Sequence, residues 1–114
     1  MKVFKISKQI SIFELMYLDN YINDISKLCA THKVKHLYAF GSVLTKKFSG
    51  KSDIDLLVEI ISNDPLDYAE KYFDLKFELE KLFNRPIDLL EERALTNPYL
   101  KQNIDTTKTL LYAA

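Results

Sequence analysis

The chain has 114 residues, of which 47 % are hydrophobic and 28 % charged, a balance typical of a globular domain and unlike that of a disordered or membrane-spanning chain. Sixteen basic residues balance sixteen acidic ones, which argues against the broad positive surface of a nonspecific nucleic-acid binder. No apolar run reaches the roughly 20 residues that cross a bilayer, and the N-terminus lacks a signal-peptide pattern. We therefore expect one cytoplasmic domain over residues 1–114, with the single cysteine, Cys29, in its core.

The first predicted element is an amphipathic helix over residues 12–31. Ser11 as N-cap and Glu14 three residues later form a capping box. Apolar residues follow at helical spacing: Leu15, Leu18, Ile22, Ile25 and Cys29. The segment VKHLYAF then predicts a strand from Val34 to Phe40.

A second strand is predicted over residues 53–60, with two acids on one of its faces. Because side chains alternate along a strand, one face would carry Ile54, Leu56, Val58 and Ile60, and the other Asp53, Asp55, Leu57 and Glu59. The alternation predicts one apolar face and one acidic face.

A long helix and a third strand follow. Asp64 as N-cap and Pro65 at the first helical position begin the helix, which should end near Asn84. The segment RPIDLL predicts a short strand in which Asp88 points opposite to its apolar neighbours. TNPYLKQNI predicts another short helix, and TKTLLY either a last strand or a continuation of that helix. This order predicts an α/β (α+β) domain, a small mixed sheet with helices packed on one face.

The acidic face of this sheet is a candidate metal site. Asp53 and Asp55 would lie about 6.5 to 7 Å apart at the backbone, and Asp88 joins them if the third strand pairs beside the second. Three carboxylates on one open face repel one another, so such a cluster is tolerated chiefly when a divalent cation completes it. Oxygen ligands alone favour Mg²⁺ or Mn²⁺ over zinc.

The first strand ends in a glycine-serine pair that suits an anion. Gly41 would let the backbone approach a phosphate closely, and Ser42, which can cap a short helical turn, would add its hydroxyl to the free N–H groups of that turn. The glycine-serine pair and the paired aspartates are each weak evidence of a functional site alone. Their order and separation along the chain make a stronger pattern.

The pattern of GS, ten intervening residues, DID and LLVE resembles the signature of the minimal nucleotidyltransferases (MNT), within the DNA polymerase β-like superfamily. The segment RPIDLLEERALTNPYLKQNI also resembles the part of the family that carries its third acid. The resemblance implies that Gly41 and Ser42 hold the β- and γ-phosphates of ATP or another NTP, and that Asp53, Asp55 and Asp88 serve two Mg²⁺ ions, with Asp88 near the attacking hydroxyl. It implies nucleotidyl transfer, in which an acceptor oxygen attacks the α-phosphorus and pyrophosphate leaves.

The loop after the glycine-serine pair departs from many members of this family. Where those have an arginine, this chain has Val43, Leu44 and Thr45, followed by Lys46 and Lys47. A lysine neutralises phosphate charge but lacks the bidentate fork of arginine. Lys46, Lys47 and Lys51 are therefore either phosphate-binding residues or a solvated loop.

Two histidines, His32 and His36, fall outside the predicted acid cluster and receive no role.

Three functions fit this resemblance. The favoured one is an active enzyme that transfers AMP to a tyrosine of a partner HEPN ribonuclease toxin and so acts as its antitoxin, in a hetero-oligomer. The alternatives are an antitoxin that inhibits by binding alone, and an aminoglycoside-type nucleotidyltransferase, which normally carries an added helical domain. The sequence alone does not identify the acceptor.

Overall fold

A computed structural model describes residues 17–41 and 53–114 of the chain. Its four strands form one mixed sheet in the order β3–β2–β1–β4. The strands are β1 (Val34–Phe40), β2 (Ile54–Ile60), β3 (Ile87–Glu91) and β4 (Thr109–Ala113). β1 runs antiparallel to both β2 and β4, whereas β2 and β3 are parallel. The predicted mixed sheet is confirmed, and the segment TKTLLY forms its last strand.

Within residues 17–41 and 53–114, three bounded helices and one 3₁₀ turn accompany these strands. The helices are α1 (Ile22–Thr31), α2 (Pro65–Phe83) and α3 (Pro98–Thr107), and the 3₁₀ turn is Glu92–Ala94. α2 begins as predicted, because the Asp64 side chain accepts a hydrogen bond from the Leu66 N–H at 3.0 Å. It ends at Phe83, and the C-cap Asn84 follows with a left-handed φ of 53°. No helix among these described residues is long and apolar enough to cross a membrane.

The predicted single helix over residues 12–31 is interrupted. Residues 17–19 are helical, Asn20 and Tyr21 form a turn, and α1 begins at Ile22. The Tyr21 N–H bonds to the Leu18 carbonyl in the tighter three-residue pattern, and its ring packs 4.6 Å from that of Phe83. The turn thus coincides with an aromatic contact to the end of α2. The predicted capping box of Ser11 and Glu14 lies outside the described residues.

The main core lies between one face of the sheet and helices α1 and α2. Its members are buried aliphatic side chains of the strands and of the inward sides of the two helices, among them Leu37, Leu56, Val58, Ile25, Leu75 and Leu79. Cys29 is fully buried in this cluster, as predicted. The opposite face of the sheet is therefore left to carry the polar groups.

Candidate active site

The acid-bearing face is the side of the sheet turned away from the main core. Cross-strand register fixes its members, because paired residues point to the same side. They are His36, Tyr38 and Phe40 of β1, Asp55, Leu57 and Glu59 of β2, and Asp88 and Leu90 of β3. Leu57 is fully buried on this face although it lies outside the main core cluster. The face therefore carries polar side chains at its two ends and a buried apolar side chain at its middle.

Two of the three predicted acids are direct neighbours at one end of this face. Asp55 pairs with Asp88 across the parallel strands β2 and β3, which places their backbones about 4.8 Å apart. Asp53 lies two residues before Asp55, just ahead of the strand, and is exposed. The three acids do not all come within 4.8 Å of one another, so bringing them to shared cations requires rotation of their side chains.

Gly41 lies directly against the Asp55 side chain. Its φ of +74° belongs to the left-handed region, and a Cβ added there would come within 2.3 Å of the Asp55 Oδ2 atom. Only glycine fits this corner, because any larger residue would strain the backbone and collide with the carboxylate. Glycine at the end of β1 is thus required by Asp55 as well as by the left-handed backbone.

The rest of the predicted phosphate corner lies outside the described residues. Ser42, Lys46, Lys47 and Lys51 fall between residues 41 and 53, so their roles stay predictions. Gly41, the last described residue before this segment, lies beside Asp55.

A tyrosine of α2 supports the strand that carries Asp88. The Tyr72 hydroxyl donates a hydrogen bond to the carbonyl of Leu89, the residue after Asp88. Burial raises the pKa of Tyr72, and the negative charges of Glu91 and Asp88 raise it further. The protonated hydroxyl therefore remains available to hold β3 in place.

The other end of the acid-bearing face carries a cluster that the sequence analysis missed. The His36 Nε2 atom lies 3.2 Å from a Glu59 oxygen and in still closer contact with a Glu92 oxygen. The strand alternation placed Glu59 on this face, but Glu92 is distant in sequence and belongs to the 3₁₀ turn. Only the paired register of β1 and β2 could have indicated the histidine.

Two shallow grooves lie elsewhere, on the helical layer. They have volumes of about 400 and 480 Å³ and follow α1 and α2, sharing Leu28 and Glu78. Asp24, Lys27 and Lys81 also line the first, and Asp74 also lines the second. Neither groove is lined by Gly41 or by any of the three predicted acids, so the acid-bearing face remains the candidate active site.

Comparison with known proteins identifies the family. The family model described as polymerase beta, nucleotidyltransferase, matches residues 23–114. The chain belongs to this nucleotidyltransferase family. The match covers all four strands and the three predicted acids, and it confirms both the resemblance and the predicted fold class. The chain is accordingly a nucleotidyltransferase.

Relatives of known sequence point to the same chemistry. Two proteins of Methanocaldococcus jannaschii, each with a proposed protein adenylyltransferase activity, are 35 % and 39 % identical to this chain over 74 residues. Each alignment covers 65 % of this chain, and 73 % and 72 % of the respective relatives.

Solved structures share the fold. A protein described as a minimal nucleotidyltransferase superimposes with a TM-score of 0.67 at 30 % identity, over 82 % of this chain and 92 % of the other. A chain of a toxin–antitoxin crystal structure with AMP-PNP gives 0.63 at 25 % identity, over 82 % and 73 % of the two chains. A complex of a tri-AMPylated HEPN toxin of Shewanella oneidensis with its MNT antitoxin gives 0.59 at 24 % identity, over 85 % and 73 %.

Proposed function

We propose that this nucleotidyltransferase transfers AMP from ATP to a hydroxyl group of a partner protein, with Mg²⁺ as cofactor. The observation that carries the proposal is the parallel register of β2 and β3, which sets Asp55 beside Asp88 next to Gly41. Carboxylates of neighbouring strands with a third acid two residues away form an oxygen ligand set of the kind that Mg²⁺ prefers. A strictly structural role would not require three acids at one strand edge.

Asp53, Asp55 and Asp88 are the residues that would hold two Mg²⁺ ions. Such a pair of ions neutralises charge on the attacking and leaving oxygens of a phosphoryl centre. The acceptor oxygen forms a bond to the α-phosphorus while the bond to the pyrophosphate oxygen breaks, and the Asp88 carboxylate receives the hydroxyl proton. In this proposal Asp88 acts on the acceptor, whereas Asp53 and Asp55 serve the nucleotide.

The nucleotide is proposed to enter at the end of β1. Backbone N–H groups after Gly41, the Ser42 hydroxyl and one or both of Lys46 and Lys47 would bind the β- and γ-phosphates. The positive charge of the lysines is expected to offset the negative charge that the triphosphate brings to an acidic face.

The proposed acceptor is a tyrosine of a HEPN-type toxin, with this chain as its antitoxin. Support comes from structural neighbours that are toxin–antitoxin pairs, one of them with AMP-PNP and one with an AMPylated HEPN toxin. The acid-bearing face is an open sheet face at the end where Asp53 and Asp88 are exposed, so a docked protein would exclude water and position its hydroxyl.

The deciding experiment measures transfer of label from ATP labelled at the α-phosphate. The purified chain, Mg²⁺ and the HEPN protein of the same source are combined, and the double variant Asp53→Asn/Asp55→Asn is the matched control. Label on a tyrosine of the partner that is lost in the double variant supports the proposal. Efficient labelling of an aminoglycoside or an RNA end, with the partner unlabelled, contradicts it.

The same reagents separate enzymatic inhibition from inhibition by binding. If the double variant still neutralises the ribonuclease as well as the wild type does, the chain inhibits by contact alone. If neutralisation needs ATP and fails in the double variant, AMP transfer is the inhibitory step.

A further inference from the structure

We propose that His36, Glu59 and Glu92 form a second divalent-metal site, distinct from the three aspartates and selective for a transition ion such as Zn²⁺. One imidazole nitrogen and two carboxylate oxygens from these residues all lie within 4.8 Å of one another. Atoms this close can reach one cation with only small side-chain adjustments. This proposal does not depend on the proposed function.

The contacts of the imidazole set one ring nitrogen against two carboxylates. The Nε2 atom faces Glu59 Oε1 at 3.2 Å and, at shorter range, Glu92 Oε2. A single N–H group directs its hydrogen toward one acceptor well, so one of the two carboxylates is left poorly paired. A metal ion would use the Nε2 lone pair and one oxygen from each carboxylate at the same time.

The charge of the cluster points the same way. The side chains of His36, Glu59 and Glu92 are 19 %, 32 % and 33 % exposed, so all three are partly removed from water. Within residues 17–41 and 53–114, His36 is the one ion-pair partner of either glutamate. Two half-buried carboxylates held this close repel each other, and a divalent cation would neutralise both.

The three ligands are held by elements that are already ordered. His36 and Glu59 are cross-strand partners in β1 and β2, and the His36 ring packs 5.1 Å from that of Tyr38. The turn that carries Glu92 is fixed by its neighbour Arg93, which donates to the Ile60 carbonyl at 3.4 Å and stacks over the Tyr68 ring. The ligand geometry is therefore set before any ion binds.

The donor set indicates the class of metal. One nitrogen and two oxygens suit Zn²⁺, Mn²⁺ or related first-row ions, with water completing the coordination, whereas Mg²⁺ prefers oxygen alone. Glu59 lies four residues along β2 from Asp55, about 13 Å at the backbone. A transition ion here would be too distant to join the nucleotide chemistry and would instead cross-link β1, β2 and the 3₁₀ turn.

The test uses Zn²⁺ as the probe and the histidine ring resonances as the readout. The chain has two histidines, and His32 is a natural internal control because its Nδ1 atom is hydrogen-bonded to the Leu28 carbonyl, away from the cluster. Zn²⁺ is added to the full chain carrying Asp53→Asn and Asp55→Asn, so that the aspartates do not compete. We expect one equivalent to shift the His36 ring signals and leave those of His32 in place.

Calorimetric titration of single variants in the same background completes the test. His36→Gln and Glu92→Gln should each weaken Zn²⁺ binding by at least about tenfold, since even losses outside the ligand shell cost 10- to 100-fold. His32→Gln should bind like its parent. Equal Zn²⁺ affinity in all four proteins overturns the proposal. So do His36 ring signals that do not shift when Zn²⁺ is added. If either ligand variant fails to fold, the histidine signals of the parent decide the question.

Discussion

Gly41 leaves space in the backbone of the candidate active site for one of its acids, Asp55. The position of its missing side chain is filled by the Asp55 carboxylate, and its φ of +74° is one that other residues rarely adopt. The glycine was predicted from its place after a strand, for the sake of a phosphate. The structure adds a second reason, namely that the acid itself needs the space.

Replacing Gly41 with alanine should destabilise the apo protein, because of both the left-handed backbone and the collision with Asp55. The backbone contribution alone is about 1–2 kcal/mol. We expect the cost, measured by urea unfolding, to shrink when the same change is made in an Asp55→Ala background, since that variant removes the colliding atoms. An equal cost in both backgrounds would mean that the carboxylate does not press on this position.

Asp67 provides a pH-dependent contact at the start of α2. The Ser62 hydroxyl donates to its carboxylate at 2.8 Å and the Lys33 ammonium lies at 3.3 Å, and both lower its pKa below the ordinary 3.8. A lowered folded-state pKa stabilises the fold above the ordinary value, and the stabilisation is lost as pH falls through the lowered value.

Asp67→Asn should therefore lower the free energy of unfolding at pH 7 and have little effect near pH 2. Urea unfolding of both proteins at the two pH values measures this difference. Ser62→Ala, which removes the principal cause of the shift, should show part of the same pH dependence. A loss that persists unchanged at low pH would contradict the assignment.

At the scale of the element, α2 carries large apolar side chains both on its buried side and on its exposed side. Leu75 and Leu79 are fully buried against the sheet, whereas Phe73 and Phe77 are 52 % and 60 % exposed, with their rings 6.4 Å apart. Burial, and not residue type, decides what each contributes to stability.

Leu79→Ala should cost about 2–5 kcal/mol of unfolding free energy, because it leaves a cavity in the core. Phe77→Ala, two residues away on the same helix, should change it by no more than about 0.5 kcal/mol. Chemical unfolding of the two variants side by side gives the comparison. Similar losses in both would show that the exposed face of α2 is covered in solution.

Local sequence signals predicted most elements and failed where distant residues decide. β1 was predicted to the residue, and the ends of α2 were predicted from Asp64 and Asn84, because strand alternation and capping are local. At the break before α1, the Tyr21 ring packs against Phe83, which is 62 positions away in sequence. A local pattern does not contain that contact, and for the same reason the identity of β4 was left open.

The candidate site likewise combines residues that local patterns predicted with residues that only the fold brings together. The side-by-side placement of Asp55 and Asp88 was predicted only on condition that β3 pairs with β2, and the register meets that condition. The contact of His36 with Glu92 joins residues that are 56 positions apart, so no spacing rule would have found it. Whether the three acids bind metal stays a prediction.

At the scale of the whole molecule, the three proposed aspartate ligands belong to two segments of the chain that α2 separates in sequence. An ion bound by acids of both β2 and β3 would stabilise the sheet as a unit, since ligands that bind only the folded state raise its stability by mass action.

Mg²⁺ with a non-hydrolysable ATP analogue should raise the melting temperature of the wild type, by the equivalent of about 2.7 kcal/mol at one hundred times the dissociation constant. Asp88→Asn should lose much of this gain while its apo stability is unchanged or slightly higher, because one like-charge pair is relieved. Thermal melts of both proteins, with and without Mg²⁺ and the ATP analogue, measure this difference. A large apo destabilisation would assign Asp88 a structural role.

The parallel pairing of β2 and β3 also governs when the acids of the candidate site can come together during synthesis. Asp53 and Asp55 leave the ribosome well before Asp88, and α2 must be complete before the two strands can meet. Closing such a crossover is slow compared with forming a hairpin or a helix. β4, which pairs with β1, follows the other three strands in sequence. A growing chain therefore brings Asp55 and Asp88 together only after α2 and β3 have both been made.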